Sequence, residues 1–216
     1  MPLCYKIDNN DFTLGLWELT ENTDQIYSEF MQIAPKNELD KVEEFKYPSR
    51  RTEWMATRLL MYHLLNKVVE IDYDEHGKPI ILNQDRCISI SHTKGMVAVI
   101  IANNLAGIDV EMVNDRVLRV EERFLSGIER TQIQEENKMQ ALMAYWSAKE
   151  TLYKISGGRG LDFKKNFYIS PFVLGQKGNF TGEIVKQNQS VGYRLNYFLH
   201  KQKNKCEDYL IVYYYN

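Results

Sequence analysis

Cysteine is scarce in this 216-residue chain: Cys4, Cys87 and Cys206 stand far apart, and no CxxC pair occurs. An odd, scattered set excludes a disulfide framework and a cysteine-rich metal site, and suits a reducing cytoplasm. Long apolar runs are missing too. The longest, MVAVIIA at 96–102, falls far short of the ~20 residues a bilayer-spanning helix needs. The opening MPLCYKIDNNDF has no basic stretch followed by an apolar core, so no signal peptide is expected. Neither sign of charge dominates: 27 Lys and Arg against 29 Asp and Glu leave −2. The chain therefore has no general attraction for nucleic acid, and any charged docking surface must be local. Also absent are GxxxxGK(S/T), GxGxxG, HxxH and HExxH, which leaves P-loop nucleoside triphosphatases, Rossmann dehydrogenases and zinc proteases without support.

What is present is ordinary globular material, 44% hydrophobic and 26% charged, long enough for a sizeable core. LGLWEL (14–19) reads as an opening strand. RTEWMATRLLMYHLLNKVV reads as a helix, with Trp54, Leu59, Tyr62 and Leu65 recurring at helical spacing. EHGKPIIL, CISISH, MVAVIIA and NNLAGIDVEMV read as strands between turn residues. Two short helices are expected at about 117–125 and 128–136, and a long one at about 138–156, stopped by SGGRG. FYISPFV, TGEIVK, VGYRLNYFL and DYLIVYYY are strand-like, rich in aromatic and β-branched residues. A strand, helices and then a run of strands thus occur twice, with no Pro/Gly/Ser linker between the two sets. This predicts an α+β fold of two similar halves, 1–104 and 105–216, with a ligand cleft between them.

Three places carry chemistry. In AGIDVE, strand alternation sends Asp109 and Glu111 to one face and Ile108 and Val110 into the core. Two carboxylates beside Gly107 suit a hard cation such as Mg²⁺; a solvated strand face is the plainer alternative. On the helix at 138–156, Ala141, Tyr145, Ala148, Leu152 and Ile155 form the core stripe, and Glu150 lies opposite, flanked by Met143 and Trp146, with Lys154 one turn on. Glu150 and Lys154 are either a third metal carboxylate and a phosphate-binding ammonium, or a surface pair worth about 0.3–0.5 kcal/mol. In CISISHTKG, Ile88 and Ile90 face inward, so Ser89 and Ser91 are expected to face outward, with His92 at the strand end, where such groups can hold an anion. A strand-end histidine can equally be structural.

GIDVE (107–111) and WSAKETLYK (146–154), with RFLSGIE (123–129) between them and GKP (77–79) and SISH (89–92) upstream, resemble the 4'-phosphopantetheinyl transferase superfamily, in particular its surfactin-synthetase-activating type. The resemblance runs from about Arg51 to Asp162, and the strands beyond it match only in kind. It implies two α+β halves related by a pseudo-twofold axis. It also implies transfer of the phosphopantetheine arm of coenzyme A to a serine of an apo acyl or peptidyl carrier protein, releasing adenosine 3',5'-bisphosphate. By motif match Asp109, Glu111 and Glu150 would hold Mg²⁺. Lys154 would pair with the attacked phosphate, Ser91 and His92 would contact phosphates, and Gly77, Lys78 and Pro79 would wall the adenine pocket. Glu150 would serve as the base, with Glu129 the next candidate.

Where better-known members place lysines for the 3'-phosphate, this chain has acids; Arg51 and Arg58, seven apart on one helix face, are the expected substitutes, with Lys41 behind them. A helical NDRVLRVEERF would align Arg116, Arg119 and Arg123 as a basic face for an acidic carrier; pairing with Glu121 and Glu122 is the alternative. A chain already holding both halves can complete its cleft as a monomer. The competing activity is a Mg²⁺-dependent hydrolase or nucleotidyltransferase acting on another diphosphate, and the competing non-enzymatic reading is a module that only binds coenzyme A or a carrier.

Overall fold

Pro48 opens the first long helix, because its fixed φ suits a first helical position and its missing N–H would be unpaired there anyway. The computed structural model describes residues 3–157, 160–187, 189–202 and 208–216; Gly158 and Arg159 of the stop signal, and Cys206, lie outside the described residues. The order is β1 (Leu3–Asp8), β2 (Phe12–Glu18), α1 (Thr23–Ile33), α2 (Lys36–Glu44), α3 (Pro48–Leu65), β3 (Ile71–Tyr73), β4 (Pro79–Ile81), β5 (Cys87–Thr93) and β6 (Met96–Ala102). It continues with β7 (Ala106–Met112), a 3-10 turn at Asp115–Arg119, α4 (Glu121–Phe124), α5 (Gly127–Arg130), a second 3-10 turn at Glu135–Asn137, and α6 (Lys138–Ile155). The strands β8 (Phe167–Ile169), β9 (Lys177–Lys186), β10 (Gln189–Lys201) and β11 (Asp208–Tyr215) close the chain.

Two antiparallel sheets result, ordered β1-β2-β6-β5-β4-β3 and β7-β11-β10-β9-β8. Leave out the edge strand β1 and the orders coincide: each begins with the first strand of its half beside the last. The sheets pack face to face, each with helices on its outer side, so the fold is α+β in four layers. MVAVIIA shows why. It is apolar at every position because β6 is buried on both faces. Val97, Val99 and Ile101 pack with Trp17, Leu59 and Leu60 under α3, whereas Met96, Ala98 and Ile100 meet Ile108, Val110 and Ile211 of the second sheet. Leu210 and Val212 turn the other way, to Leu152 and Ala148 of α6.

Each long helix comes close to a strand of its half, β2 or β7, over a glycine. A methyl added at Gly15 would lie 2.8 Å from the Leu60 and Leu64 side chains; one at Gly107 would lie 2.5 Å from Ile155 and 3.0 Å from the Thr151 carbonyl. Each half also buries one ion pair between its helices, Arg58 with Glu38 at 2.9 Å and Lys149 with Glu129 at 2.7 Å. In both, the acid precedes the base by 20 residues.

Several expectations need correction. β1 and β3 went unforeseen, being short, partly exposed and without clean alternation. The helix expected at 117–125 breaks at Val120 (φ −120°, ψ 4°) into the 3-10 turn and α4. Val117, Phe124 and Leu125 still all reach the core there, at the i, i+7 and i+8 spacing of one helical face, so the apolar pattern does not announce the break. That expected at 128–136 shrinks to α5, whose first turn is fixed by a reciprocal cap between Ser126 and Glu129, and the second 3-10 turn. Among the described residues no helix is long and apolar enough to cross a membrane.

Candidate active site

β7 is an edge strand, and its free edge runs beside β5 of the other half. Ile108 turns both backbone groups to that edge: its N–H donates to Ser89 Oγ at 3.1 Å, and its carbonyl accepts from Lys154 Nζ at 2.7 Å. The next residue carries the first carboxylate. Asp109 Oδ1 accepts from Ser91 Oγ at 3.0 Å and from Lys154 Nζ at 2.9 Å, while Oδ2 is buried with no partner. Two residues on, Glu111 accepts from Trp146 Nε1 at 3.0 Å and from Thr93 Oγ1 at 3.3 Å.

Glu150 faces this strand from α6, whose expected core stripe is buried throughout, as is Met143. Burial first, then the negative charges of Asp109 and Glu111, push the Glu150 carboxyl up to about 7, against the pull of Lys154. Burial and Asp109 likewise raise Glu111 above the usual carboxylate range. Three carboxylates therefore repel one another across a partly desolvated space that one ammonium does not neutralise. Among the described residues no three His, Cys, Asp or Glu side chains close into a metal-holding group. The chemistry nevertheless fits a hard cation: the donors are all carboxylate oxygens, one of them buried and unpartnered, and Mg²⁺ commonly takes only part of its shell from protein.

Beside this cluster lies a groove. Asp74 Oδ1 accepts the N–H groups of His76 and Lys78, folding the β3–β4 turn around Gly77, which sits at φ +79°. The turn walls two adjoining cavities. One, about 240 Å³, is lined by Gly77, Lys78, Pro79, Ser89, Tyr153 and Lys154 among others. The second, about 260 Å³, shares Gly77, Pro79 and Ile90 with the first and extends to Arg50, Trp54 and His92. Arg50 Nη1 lies 3.0 Å from His92 Nε2 and 2.8 Å from Glu53. Burial holds His92 below the usual histidine value, although Glu53 opposes this.

The structure thus brings Gly77, Lys78, Pro79, Ser91, His92, Asp109, Glu111, Glu150 and Lys154 to one seam. It treats the others differently. Ser89 and Ser91, expected to face outward, are 4% and 7% exposed, because outward from their own half means toward the other. Arg51 and Arg58 do share a helix face, but that face packs on α2. Arg51 bonds the Phe45 carbonyl and lies 3.7 Å from Glu43; Arg58 is 1% exposed, paired with Glu38 and stacked 4.4 Å over Trp54. Arg58 does touch the second cavity and leaves Nη1 unpartnered, yet Arg50 is the more open cation there. Lys41 is exposed on α2. Glu129 is fully buried with both oxygens engaged by Lys149, the Ser126 N–H and the Ile169 N–H, so it fixes α5 and β8 rather than facing the cleft. Arg116, Arg119 and Arg123 are exposed but spread over a turn and a separate helix, with Arg119 3.6 Å from Asp115.

Sequence reading missed Arg50 and Thr93. Arg50 was overlooked because spacing favoured its neighbour; Thr93 was legible as the third hydroxyl in the alternation Ser89, Ser91, Thr93.

A four-layer α+β fold with a carboxylate and lysine seam between similar halves defines a recognisable class. The family model of the 4'-phosphopantetheinyl transferase superfamily matches residues 106–213, half of the chain, and the chain belongs to that superfamily. Among curated proteins it is similar to the 4'-phosphopantetheinyl transferase AcpT of Escherichia coli O157:H7, 26% identical over 119 residues, and to AcpT of Salmonella typhimurium, 28% identical over 116. Each match covers 50% of this chain and 60% of the relative, so the chain spans somewhat over half the length of these proteins.

Proposed function

We propose that the chain transfers the 4'-phosphopantetheine arm of coenzyme A to a serine of an apo carrier protein. The observation that carries this reading is the seam itself: Asp109, Glu111 and Glu150 gather around Lys154 beside a groove of about 240 Å³. The carrier serine oxygen attacks the phosphorus bearing the pantetheine arm, a new P–O bond forms, and the pyrophosphate P–O bond breaks to release adenosine 3',5'-bisphosphate. Such transfer depends on in-line placement and neutralised charge more than on covalent help from the protein.

The serine proton goes to Glu150, whose carboxyl stands near 7 in the metal-free chain and would be lowered, and so kept ionised, by a cation bound beside it. Lys154, one turn further along α6, is placed to swing from Asp109 to the attacked phosphate. Asp109, Glu111 and Glu150 would hold Mg²⁺, which when bound supplies neutralisation of the pyrophosphate charge. Gly77, Lys78 and Pro79 wall the base, and Arg50 with His92 takes the 3'-phosphate. Residues 1–104 supply the nucleotide contacts and 105–216 the carboxylates, within one monomer. The exposed Arg116, Arg119 and Arg123 lie just past β7 and give an acidic carrier a local positive surface.

Incubation with coenzyme A, Mg²⁺ and an apo acyl carrier protein tests the reading. A carrier mass gain of one phosphopantetheine arm is expected. Nucleotide products without a modified carrier would identify a hydrolase instead, and binding with no product would reduce the chain to a binding module.

A further inference from the structure

β5 presents hydroxyls at alternate positions, Ser89, Ser91 and Thr93, which a strand sends to one face. All three meet β7, in ascending order along both strands: Ser89 Oγ accepts the Ile108 N–H at 3.1 Å, Ser91 Oγ donates to Asp109 at 3.0 Å, and Thr93 Oγ1 donates to Glu111 at 3.3 Å. One half of the molecule therefore grips the two carboxylates of the other. The grip is selective by atom. Ser91 and Lys154 both bond Asp109 Oδ1, which leaves Oδ2, buried and unpartnered, as the oxygen free to ligate. On Glu111, Thr93 holds Oε2 and Trp146 holds Oε1. Ser91 is 7% exposed, with its hydroxyl committed to the carboxylate.

We propose that Ser91 and Thr93 are positioning residues, whose hydroxyls orient Asp109 and Glu111 toward a divalent cation and do not contact the substrate phosphates. This rests on the metal reading of the seam given above. A free carboxylate turns about its last torsion, whereas a small cation accepts little departure from octahedral directions, so donors that fix the ligand's orientation strengthen binding. Because the donors and the ligands sit in different halves, the register of β5 on β7 sets the site.

Mn²⁺ serves as the probe, its free fraction read by electron paramagnetic resonance on the full chain without nucleotide. Ser91→Ala and Thr93→Val should each weaken Mn²⁺ binding by about 10- to 100-fold, the usual effect of removing a group that orients a ligand. Coenzyme A binding measured in chelator should stay at the wild-type level, which also reports an intact fold, and Ser91→Thr and Thr93→Ser should restore the metal affinity. If both deletion variants bind Mn²⁺ as the wild type does, the positioning role is overturned while the metal reading stands. If Ser91→Ala instead loses coenzyme A in chelator and keeps Mn²⁺, the hydroxyl touches substrate and the inference is equally overturned. A wild-type chain that takes up no Mn²⁺ overturns the metal reading and this inference with it.

Discussion

The two long helices, α3 and α6, lie over their sheets in the same way and carry different chemistry. Each passes over a glycine, Gly15 of β2 or Gly107 of β7, and each sends a buried base to an acid 20 residues earlier. Around that shared frame the halves diverge. One residue after the buried base stands Leu59 in α3 and Glu150 in α6. Five residues after it stand His63 and Lys154. Two after the glycine stand Trp17 and Asp109. So where α6 sets Lys154 2.9 Å from Asp109, α3 sets His63 against Trp17, with ring centres 5.6 Å apart. The strand edges differ as well: β1 pairs along β2 and covers it, whereas the matching edge of β7 stays free for Ser89 and Lys154. The positions between α3 and β2 hold apolar and aromatic groups, and the equivalent positions between α6 and β7 hold charged ones. The frame is common property of the halves; the chemistry belongs to one.

If the buried pairs are equivalent supports, breaking either should do similar damage. Glu38→Ala and Glu129→Ala should each cost about 3–5 kcal/mol in denaturant unfolding, since each strands a buried cation. A loss below about 1 kcal/mol in one alone would break the comparison.

The acid at the Leu59-equivalent position gives a smaller, pH-dependent effect. Glu150 releases its proton near 4.5 when unfolded and near 7 when folded. Between those values the folded chain binds the extra proton, so its stability is fully present below pH 4.5, falls as pH rises through 7, and is level above. In metal-free buffer Glu150→Gln should remove that fall and leave the variant more stable than wild type above pH 7. The gain should be on the order of 2 kcal/mol after solvent screening. Melting curves from pH 4 to 8 check it, and parallel curves for the two proteins would contradict it.

Arg50→Ala should weaken coenzyme A about tenfold more than dephospho-coenzyme A, ~1.4 kcal/mol, because only the former carries a 3'-phosphate. Arg51→Ala, facing α2, should affect both ligands alike and little; calorimetric titration of both separates the neighbours. Smallest is the surface effect: Arg116→Glu with Arg119→Glu should raise the carrier KM several-fold at low salt, leave coenzyme A affinity alone, and fade above ~0.15 M salt.

Much of this was legible in the sequence because the signals were periodic. The α6 stripe, the paired Asp109 and Glu111, and the uninterrupted apolar run of β6 all follow from spacing. What escaped depended on which neighbour a face meets. A seven-residue spacing put Arg51 and Arg58 on one side of α3 without revealing that α2 covers it. Alternation sent Ser91 away from its own core without revealing that away meant the other half. Glu129 looked like a spare base because nothing local announces that Lys149, far along the chain, will bury itself against it. The family match reaches 106–213, so it does not extend to Arg50 or His92: the proposal for Arg50 rests on its place at the second cavity, and that for His92 on the same place and on the SISH motif.

The most direct test sets Asp109 against its apolar counterpart in the other half, Trp17. Coenzyme A, Mg²⁺ and apo acyl carrier protein are incubated with wild type, Asp109→Ala and Trp17→Phe, and the carrier mass is followed in time. Trp17→Phe should modify the carrier at close to the wild-type rate while Asp109→Ala, still folded, falls below about a tenth of it, a loss above ~1.4 kcal/mol. An Asp109→Ala protein that keeps more than that fraction would contradict it.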